Sequence, residues 1–479
     1  VTATCTDLFC GAGGSSTGAV AAGMTIAVAA NHWQTAIEVH QIHHPDARHD
    51  VADISAADPR RYPTTDVLLA SPECTNHSQA KGVSRKKQDA NLFAQDFDPR
   101  AERSRATMWD VVRFAEQIRY TAVVVENVVE ATKWVFWPQW LSAMTEGLGY
   151  EHRILSHNSM HHGVPQSRDR IYIVFTRPGL NVNLEMEHTA WCERCATVTT
   201  CRQAWKNGRT VGRYRTQWVW NCTACHRTVE PAVRPAADII DWSLPTPKIG
   251  ERTRPLADKT RQRIYAGLKR HGWAPVVTSG AGNGFERTPG DRARRVYHDP
   301  LPTQTCSQTH AMATPPESMI VPLRNNGNPY TIDEPLGAVT AGGNHHGLLM
   351  RNNNNAGDMG AMSTPVTEPA RTMTTTASQS LILPYYGQSK AHPVTQPIGT
   401  QTTRDTHALV KVENVDAVID ECGFRMLEPH EIAAAMAFPE GYIPVELPKK
   451  DRVKLAGNAV TPPVMQWICG RILQALEEP

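Results

Sequence analysis

Within the first 180 residues, short apolar runs alternate with helix-like segments, and no other feature of the chain restricts its fold as much. "TCTDLFC" reads as a strand ending at a glycine turn, followed by "MTIAVAAN", "TDVLLAS", "TAVVVEN" and "RIYIVFTR" as further strands. Between two of them, "ATMWDVVRFAEQI" has apolar residues at helical spacing, namely Met108, Val111, Val112 and Ala115. Strands alternating with helices predict an α/β fold with a doubly wound, mostly parallel sheet. In such sheets ligands bind beyond the carboxyl ends of the strands, and Gly11, Cys74 and Glu126 each follow a strand.

The rest of the chain reads differently. Residues 81–105 are polar and without clear period, which predicts a solvated loop that could also serve as a lid. Residues 190–228 hold five cysteines and four tryptophans. The stretch 248–270 carries eight Lys/Arg against two acids, and Leu256, Ile264 and Leu268 fall on one face. It reads as an amphipathic helix whose basic side is either solvated or set against phosphate. From 296 to 410 a unit recurs. Pro300, Pro335, Pro369 and Pro397 are each followed five residues later by Thr305, Thr340, Thr374 and Thr402, and after five more by His310, His345, Gln379 and His407. The spacings of 35, 34 and 28 residues and the short β-prone pieces predict four β-rich repeats with Asn/Gly loops.

Net charge is +2, so any polyanion partner must be met by a local patch. No apolar run reaches the length of a membrane span, and the N-terminus lacks a secretory pattern. Eleven cysteines, unevenly spaced, suit reduced thiols with some metal ligands better than a disulfide framework. Cys192-x2-Cys195 and Cys222-x2-Cys225 form two knuckles flanking the strand-like "TQWVW". Four thiolates suit a tetrahedral structural Zn2+, with Cys201 and His226 as substitute ligands.

Four segments of the first lobe carry groups suited to chemistry. "DLFCGAGGSSTG" is a strand followed by a glycine turn, which lets backbone approach a ligand at a helix N-terminus. "SPECTNHS" places Cys74 after a buried strand, either as a nucleophile or as a small core thiol. "VVVENVVE" puts Glu126 and Asn127 at a buried strand end, where an unpaired carboxylate is costly. "GVPQSRDRIYIVF" puts Arg168 and Arg170 at alternate positions entering a strand, pointing the same way. Singly, each of the last two also has a bland reading as an ion pair or sheet edge.

In this order, these segments resemble the cytosine-C5 DNA methyltransferase family. Asp7 to Gly14 is similar to its cofactor loop, Asn31-His32-Trp33 to the end of its second strand, and Asp53-Ile54 to its adenine-binding acidic position. Ser71 to Ser78 resembles the nucleophile loop, Glu126-Asn127-Val128 the Glu-Asn-Val motif, and Gln166 to Arg170 the Gln-x-Arg-x-Arg motif. Arg425 to Tyr442 and Lys454 to Val464 resemble the family's closing motifs. The resemblance implies S-adenosylmethionine as cofactor, with Asp7, Phe9, Gly11, Gly13, Trp33, Asp53 and Asn458 binding it. It also implies that Cys74 adds to C6 of a flipped-out cytosine, that Glu126 contacts N3 and the exocyclic amine, and that Arg168 and Arg170 help hold base, phosphate and thiolate.

Three positions depart from the family pattern. Glu73 stands where proline precedes the nucleophile, Thr75 where glutamine follows it, and His32 at the ribose-binding acid. Glu73 is expected to point away from Cys74 or to be paired by a basic residue, because a carboxylate beside a thiol raises its pKa. The expected domains are a catalytic lobe (1–185), a zinc ribbon (186–235), a target-recognition domain with the repeats (236–415) and a segment completing the lobe (416–479), with 248–270 bridging. The expected partner is double-stranded DNA read by a cytoplasmic monomer, beside a separately encoded restriction nuclease. A tRNA cytosine methyltransferase and an inactive DNA-binding regulator are the alternatives; the intact Cys74, Glu126, Arg168 and Arg170 argue against the second.

Overall fold

The structure is a computed structural model. It describes residues 3–72, 99–270, 274–279, 286, 288–315 and 419–477, together with the strands at 319–322, 330–331, 346–349, 381–384, 392–393 and 407–409. The chain divides into two compact units. The first comprises 1–241, 298–308 and 427–479, and the second 242–297 and 309–426.

The first unit is built on a seven-stranded sheet. In chain order its strands are β1 (Thr4–Leu8), β2 (Thr25–Asn31), β3 (Arg48–Val51), β4 (Val67–Ala70), β5 (Ala122–Asn127), β6 (Glu151–Asn158) and β8 (Asp169–Thr176), and in space they run β3-β2-β1-β4-β5-β8-β6. The first five are mutually parallel, while β8 runs antiparallel to both β5 and β6. Every residue of β4 and β5 is buried, because helices cover both faces. Successive residues divide accordingly. Leu68, Val123 and Val125 join Met108, Val111 and Phe114 of α3 (Pro99–Ile118) on one side. Leu69 and Val124 join Val464, Ile468 and Ile472 of α8 (Pro462–Glu477) on the other. The helix α3 begins at Pro99, so the end of the stretch expected as loop to 105 is helical; its charged run gave no apolar period to read.

The end of the chain completes this lobe. The short helices α6 (Pro429–Ala435) and α7 (Lys449–Asn458) precede α8, which packs on α1 (Gly14–Ala21). Two glycines permit that contact. A Cβ at Gly14 would lie 2.0 Å from the Val460 carbonyl oxygen, and one at Gly18 2.4 Å from that of Pro462. A third segment returns from afar, where β15 (Leu301–Pro302) pairs in parallel with β7 (Gln166–Ser167).

An antiparallel four-stranded ribbon also belongs to the first unit. It consists of β9 (Glu187–Cys192), β10 (Thr197–Trp205), β11 (Trp218–Cys222) and β12 (Thr228–Val229), in the order β12-β11-β10-β9. Ala190, Cys201, Trp218, Trp220 and Val229 form its buried side, packed with Met160 and Tyr214.

In the second unit, β13 (Val276–Ser279) lies between β14 (Arg294–Arg295) and β16 (His310–Thr314), and β23 (Gly423–Met426) extends the sheet beyond β16. The amphipathic helix is α5 (Asp258–Arg270), whose Ile264 and Leu268 pack on Val276, Ala311 and Phe424. Three of the eight basic groups in 248–270 are paired within the unit. Arg261 pairs with Asp420 at 2.6 Å, Lys248 with Glu421 at 3.0 Å, and the buried Arg263 with Glu286 at 3.5 Å. Two further sheets repeat the strand order of β14-β13-β16. In the first, β17 (Met319–Pro322) lies between β18 (Tyr330–Thr331) and β19 (His346–Leu349). In the second, β20 (Leu381–Pro384) lies between β21 (His392–Pro393) and β22 (His407–Leu409). His310 begins β16 and His407 begins β22, while Pro335, Pro369, Pro397, Thr340, Thr374, Thr402, His345 and Gln379 of the expected repeat lie outside the described residues.

Candidate active site

The carboxyl ends of β1, β2, β4 and β5 bring most of the expected residues to one edge of the sheet. After β1 the chain turns through three left-handed positions, Phe9 (φ 60°), Gly11 (φ 55°) and Gly13 (φ 96°). Glycine adopts this geometry freely, whereas Phe9 is held there against its preference. Asp7 is fully buried at the base of the turn. Its Oδ2 accepts from Ser16 Oγ at 2.7 Å, its Oδ1 has no partner among the described residues, and burial raises the carboxyl to about 7. Ser16 Oγ lies 2.9 Å from His40 Nε2, and His40 Nδ1 lies 2.8 Å from His49 Nε2. Tyr442 clamps the turn from the closing segment by donating to the Ala12 carbonyl at 3.0 Å, with its ring stacked on His43 at 3.6 Å.

Past β2, the Asn31 side-chain oxygen accepts from the Trp33 amide at 2.9 Å and so fixes the start of α2 (Gln34–His43). The Trp33 indole is half-buried, with the Lys454 ammonium 3.7 Å from its ring centroid. The Asp53 carboxylate is exposed and accepts from the Ser55 amide at 3.1 Å. Trp33 and Asp53, the orphaned Asp7 oxygen and the open space at Gly11 suit a polar ligand carrying an aromatic ring and a cationic group.

Past β5 the chemistry becomes sharper. Glu126 is buried, and its Oε1 pairs with Arg170 Nε at 2.9 Å. Asn127 points its Nδ2 at the Pro72 carbonyl, 3.4 Å away, tying β5 to the chain leaving β4. Glu73 and Cys74, the next two residues of that chain, lie outside the described residues. Arg168 has other partners. Its guanidinium donates to the carbonyls of Gln304 (3.0 Å), Gly457 (3.3 Å) and Ala459 (3.1 Å), fastening the middle and closing segments together. The two arginines therefore differ in use despite their alternate spacing, because Arg168 precedes β8 and Arg170 lies within it. Asn458 is exposed at the end of α7, between two of the residues whose carbonyls Arg168 holds.

The four knuckle thiols meet at one end of the ribbon. The Sγ atoms of Cys192, Cys195, Cys222 and Cys225 all lie within 4.8 Å of one another. Cys192 and Cys225 are 3.4 Å apart, and Cys195 and Cys222 are 3.9 Å apart. A tetrahedral Zn–S shell requires sulfurs about 3.8 Å apart, so the donor set fits zinc. Cys201 instead turns its thiol to the His188 carbonyl.

Several site residues were not visible in sequence. Tyr442 and Lys454 lie in closing motifs that matched as strings, yet nothing local shows that they reach Ala12 and Trp33. Gln304 gives no signal at all; it sits on a returning segment 136 residues from Arg168.

Residues 3–217 match the family described as C-5 cytosine-specific DNA methylase. The Type II methyltransferase M.AgeI of Thalassovita gelatinovora is 28% identical over 189 residues, covering 37% of this chain and 40% of that protein. M.HindV of Haemophilus influenzae, also a Type II methyltransferase, is 28% identical over 177 residues, covering 36% of this chain and 52% of that protein. The chain thus spans about half or less of the length of these curated relatives. A crystal structure of a Spodoptera frugiperda DNMT2 triple mutant aligns over 98% of this chain and 100% of that one, with a TM-score of 0.48 and 13% identity. Among the described residues, no helix is long and apolar enough to cross a membrane.

Proposed function

We propose, from the match of residues 3–217 to the C-5 cytosine-specific DNA methylase family, that this chain methylates C5 of cytosine in duplex DNA. The observation that carries the reading is the Glu126–Arg170 pair at the end of β5, joined through Asn127 to the strand end that leads into Cys74. The names of the relatives, Type II methyltransferases, favour duplex DNA as substrate and suggest a separately encoded nuclease as partner.

S-adenosylmethionine, when bound, supplies an electrophilic methyl group. The turn from Asp7 to Gly13, with Phe9, Trp33, Asp53 and Asn458, is proposed to hold it, the free Asp7 oxygen being the polar atom left for its cationic end. Cytosine C5 is too weak a nucleophile unless C6 is first attacked. The Cys74 thiolate forms the S–C6 bond and pushes electron density onto C5. Glu126 faces N3 and the exocyclic amine, where a proton offsets the negative charge that develops. Arg170 holds one Glu126 oxygen and leaves the other for the base. Once C5 carries the methyl group, loss of its proton restores the C5–C6 double bond and expels Cys74. A stacked base cannot reach a strand-end pocket, so the cytosine must leave the helix. Arg168 acts here as a positioning residue, and the knuckle cysteines hold a structural zinc.

Incubation with labelled S-adenosylmethionine and either duplex DNA or tRNA tests the reading. Label in cytosine of DNA is the expected result; label only in tRNA would replace the substrate, and label in neither would overturn the enzymatic assignment. A Cys74→Ser protein that still transferred methyl groups would remove Cys74 as nucleophile.

A further inference from the structure

We propose that the outward face of the ribbon, from its cysteine knuckles to the 206–215 loop, grips the sugar–phosphate backbone of duplex DNA beside the target base. This rests on the DNA reading above and adds a surface to it.

Charge comes first. Residues 187–229 hold seven Lys/Arg and two Glu, an excess well above the +2 of the whole chain. Strand alternation turns Ala190, Cys192, Cys201 and Trp220 inward, and leaves Trp191, Val198 and Arg202 outward. Trp191 and Val198 sit opposite each other across β9 and β10, 58% and 62% exposed. Arg194 and Arg227 at the knuckles and Arg209 in the loop are exposed, and none has a side-chain partner among the described residues. Three other basic groups of the ribbon are already paired, Arg202 with Glu187, Arg213 with Glu130 and Arg215 with Glu230, which leaves Arg194, Arg209 and Arg227 to meet a ligand. An exposed apolar pair on a ribbon whose knuckles and loop carry unpaired arginines suits deoxyribose and phosphate better than an apolar protein face.

Position comes second. The loop is fastened to the flank of the site. Arg213 pairs with Glu130 at 2.6 Å, just past the Glu126-Asn127 strand end. The Tyr214 amide donates to Asp169 at 2.9 Å, and Asp169 is the neighbour of Arg170. The Gly212 amide donates to Ser156 Oγ at 3.1 Å. The nine residues of β10 span about 30 Å, or about nine nucleotide steps along one strand. The ribbon is therefore long enough to follow the backbone away from a base held at Glu126.

The test uses the full chain with Arg194→Gln, Arg209→Gln and Arg227→Gln combined, and a mixed-sequence duplex as probe. Three lost phosphate contacts should lower the slope of log K against log salt by about 2.7. Methyl transfer at saturating DNA should be kept while KM for DNA rises. Unchanged zinc content and melting temperature would show that the ribbon still folds. An unchanged salt slope, with a wild-type chain that binds and methylates duplex DNA, overturns the clamp alone. A wild-type chain that neither binds nor methylates duplex DNA overturns the functional reading and the clamp with it.

Discussion

Arg168 and Arg170 are two residues apart and of one type, yet their surroundings assign them opposite tasks. Arg168 spreads one fork over three carbonyls drawn from residues 304, 457 and 459. Lysine offers a single ammonium there, so Arg168→Lys should lose about 2 kcal/mol of stability in urea unfolding. Arg170→Lys still places a cation beside Glu126 but changes the donor geometry. Its stability should fall by less than that of Arg168→Lys, because the charge beside Glu126 is kept, while methyl transfer falls about a hundredfold, as expected for a lost catalytic contact. Equal stability losses in the two variants would refute this division. Sequence disclosed Glu126 and Arg170 as candidates because they sit at strand ends bounded by apolar runs. The partners of Arg168 were hidden because they lie 136 to 291 residues away and follow no period.

At the scale of elements, two joints invite direct tests. A methyl group at Gly14 would strike the backbone of Val460, which cannot yield as a side chain tip can. Gly14→Ala should therefore destabilise the protein by about 1–3 kcal/mol and lower the melting temperature. A melting temperature equal to wild type would show that α1 and α8 are not so tightly joined. In the ribbon, a chelator should release zinc and with it the energy that folds β9 to β12. Trp218 and Trp220 are completely buried there, so tryptophan emission should shift to the red on metal removal and recover on zinc addition. No shift would mean that the ribbon stands on packing alone. The knuckles and "TQWVW" announced this element by spacing. The anchoring of its loop through Arg213 and Tyr214 was not legible, since neither residue differs locally from any solvated position.

Across the whole molecule, buried titratable groups set a pH response. Burial lowers His40 to about 2, His157 to about 3 and His161 to about 2. Such depressed groups give stability that is fully present above an unfolded value of about 6.5 and is lost as pH falls toward the folded values. Asp7 acts in the opposite sense. Its raised carboxyl favours the fold below about 4, and that contribution is lost as pH rises through about 7. Three histidines outweigh one aspartate, so melting temperature should drop between pH 6.5 and 5. His157→Gln should flatten the curve, and an equally steep curve in that variant would remove His157 from the account. The α/β class was evident from alternating apolar runs. The return of residues 298–308 to the first unit was not, because two paired residues at 301–302 leave no pattern in a chain.

The meeting of α1 with the closing helix has a consequence for synthesis. Gln466 donates to the carbonyl of Ala21 across a separation of 445 residues. At about 5–20 residues per second, a ribosome needs roughly 20–90 s to make the second partner after the first. Throughout that interval the apolar side of the nascent sheet lacks the cover that Val464, Ile468 and Ile472 later add. A product stalled within that interval also lacks the Tyr442 clamp that holds the turn after β1.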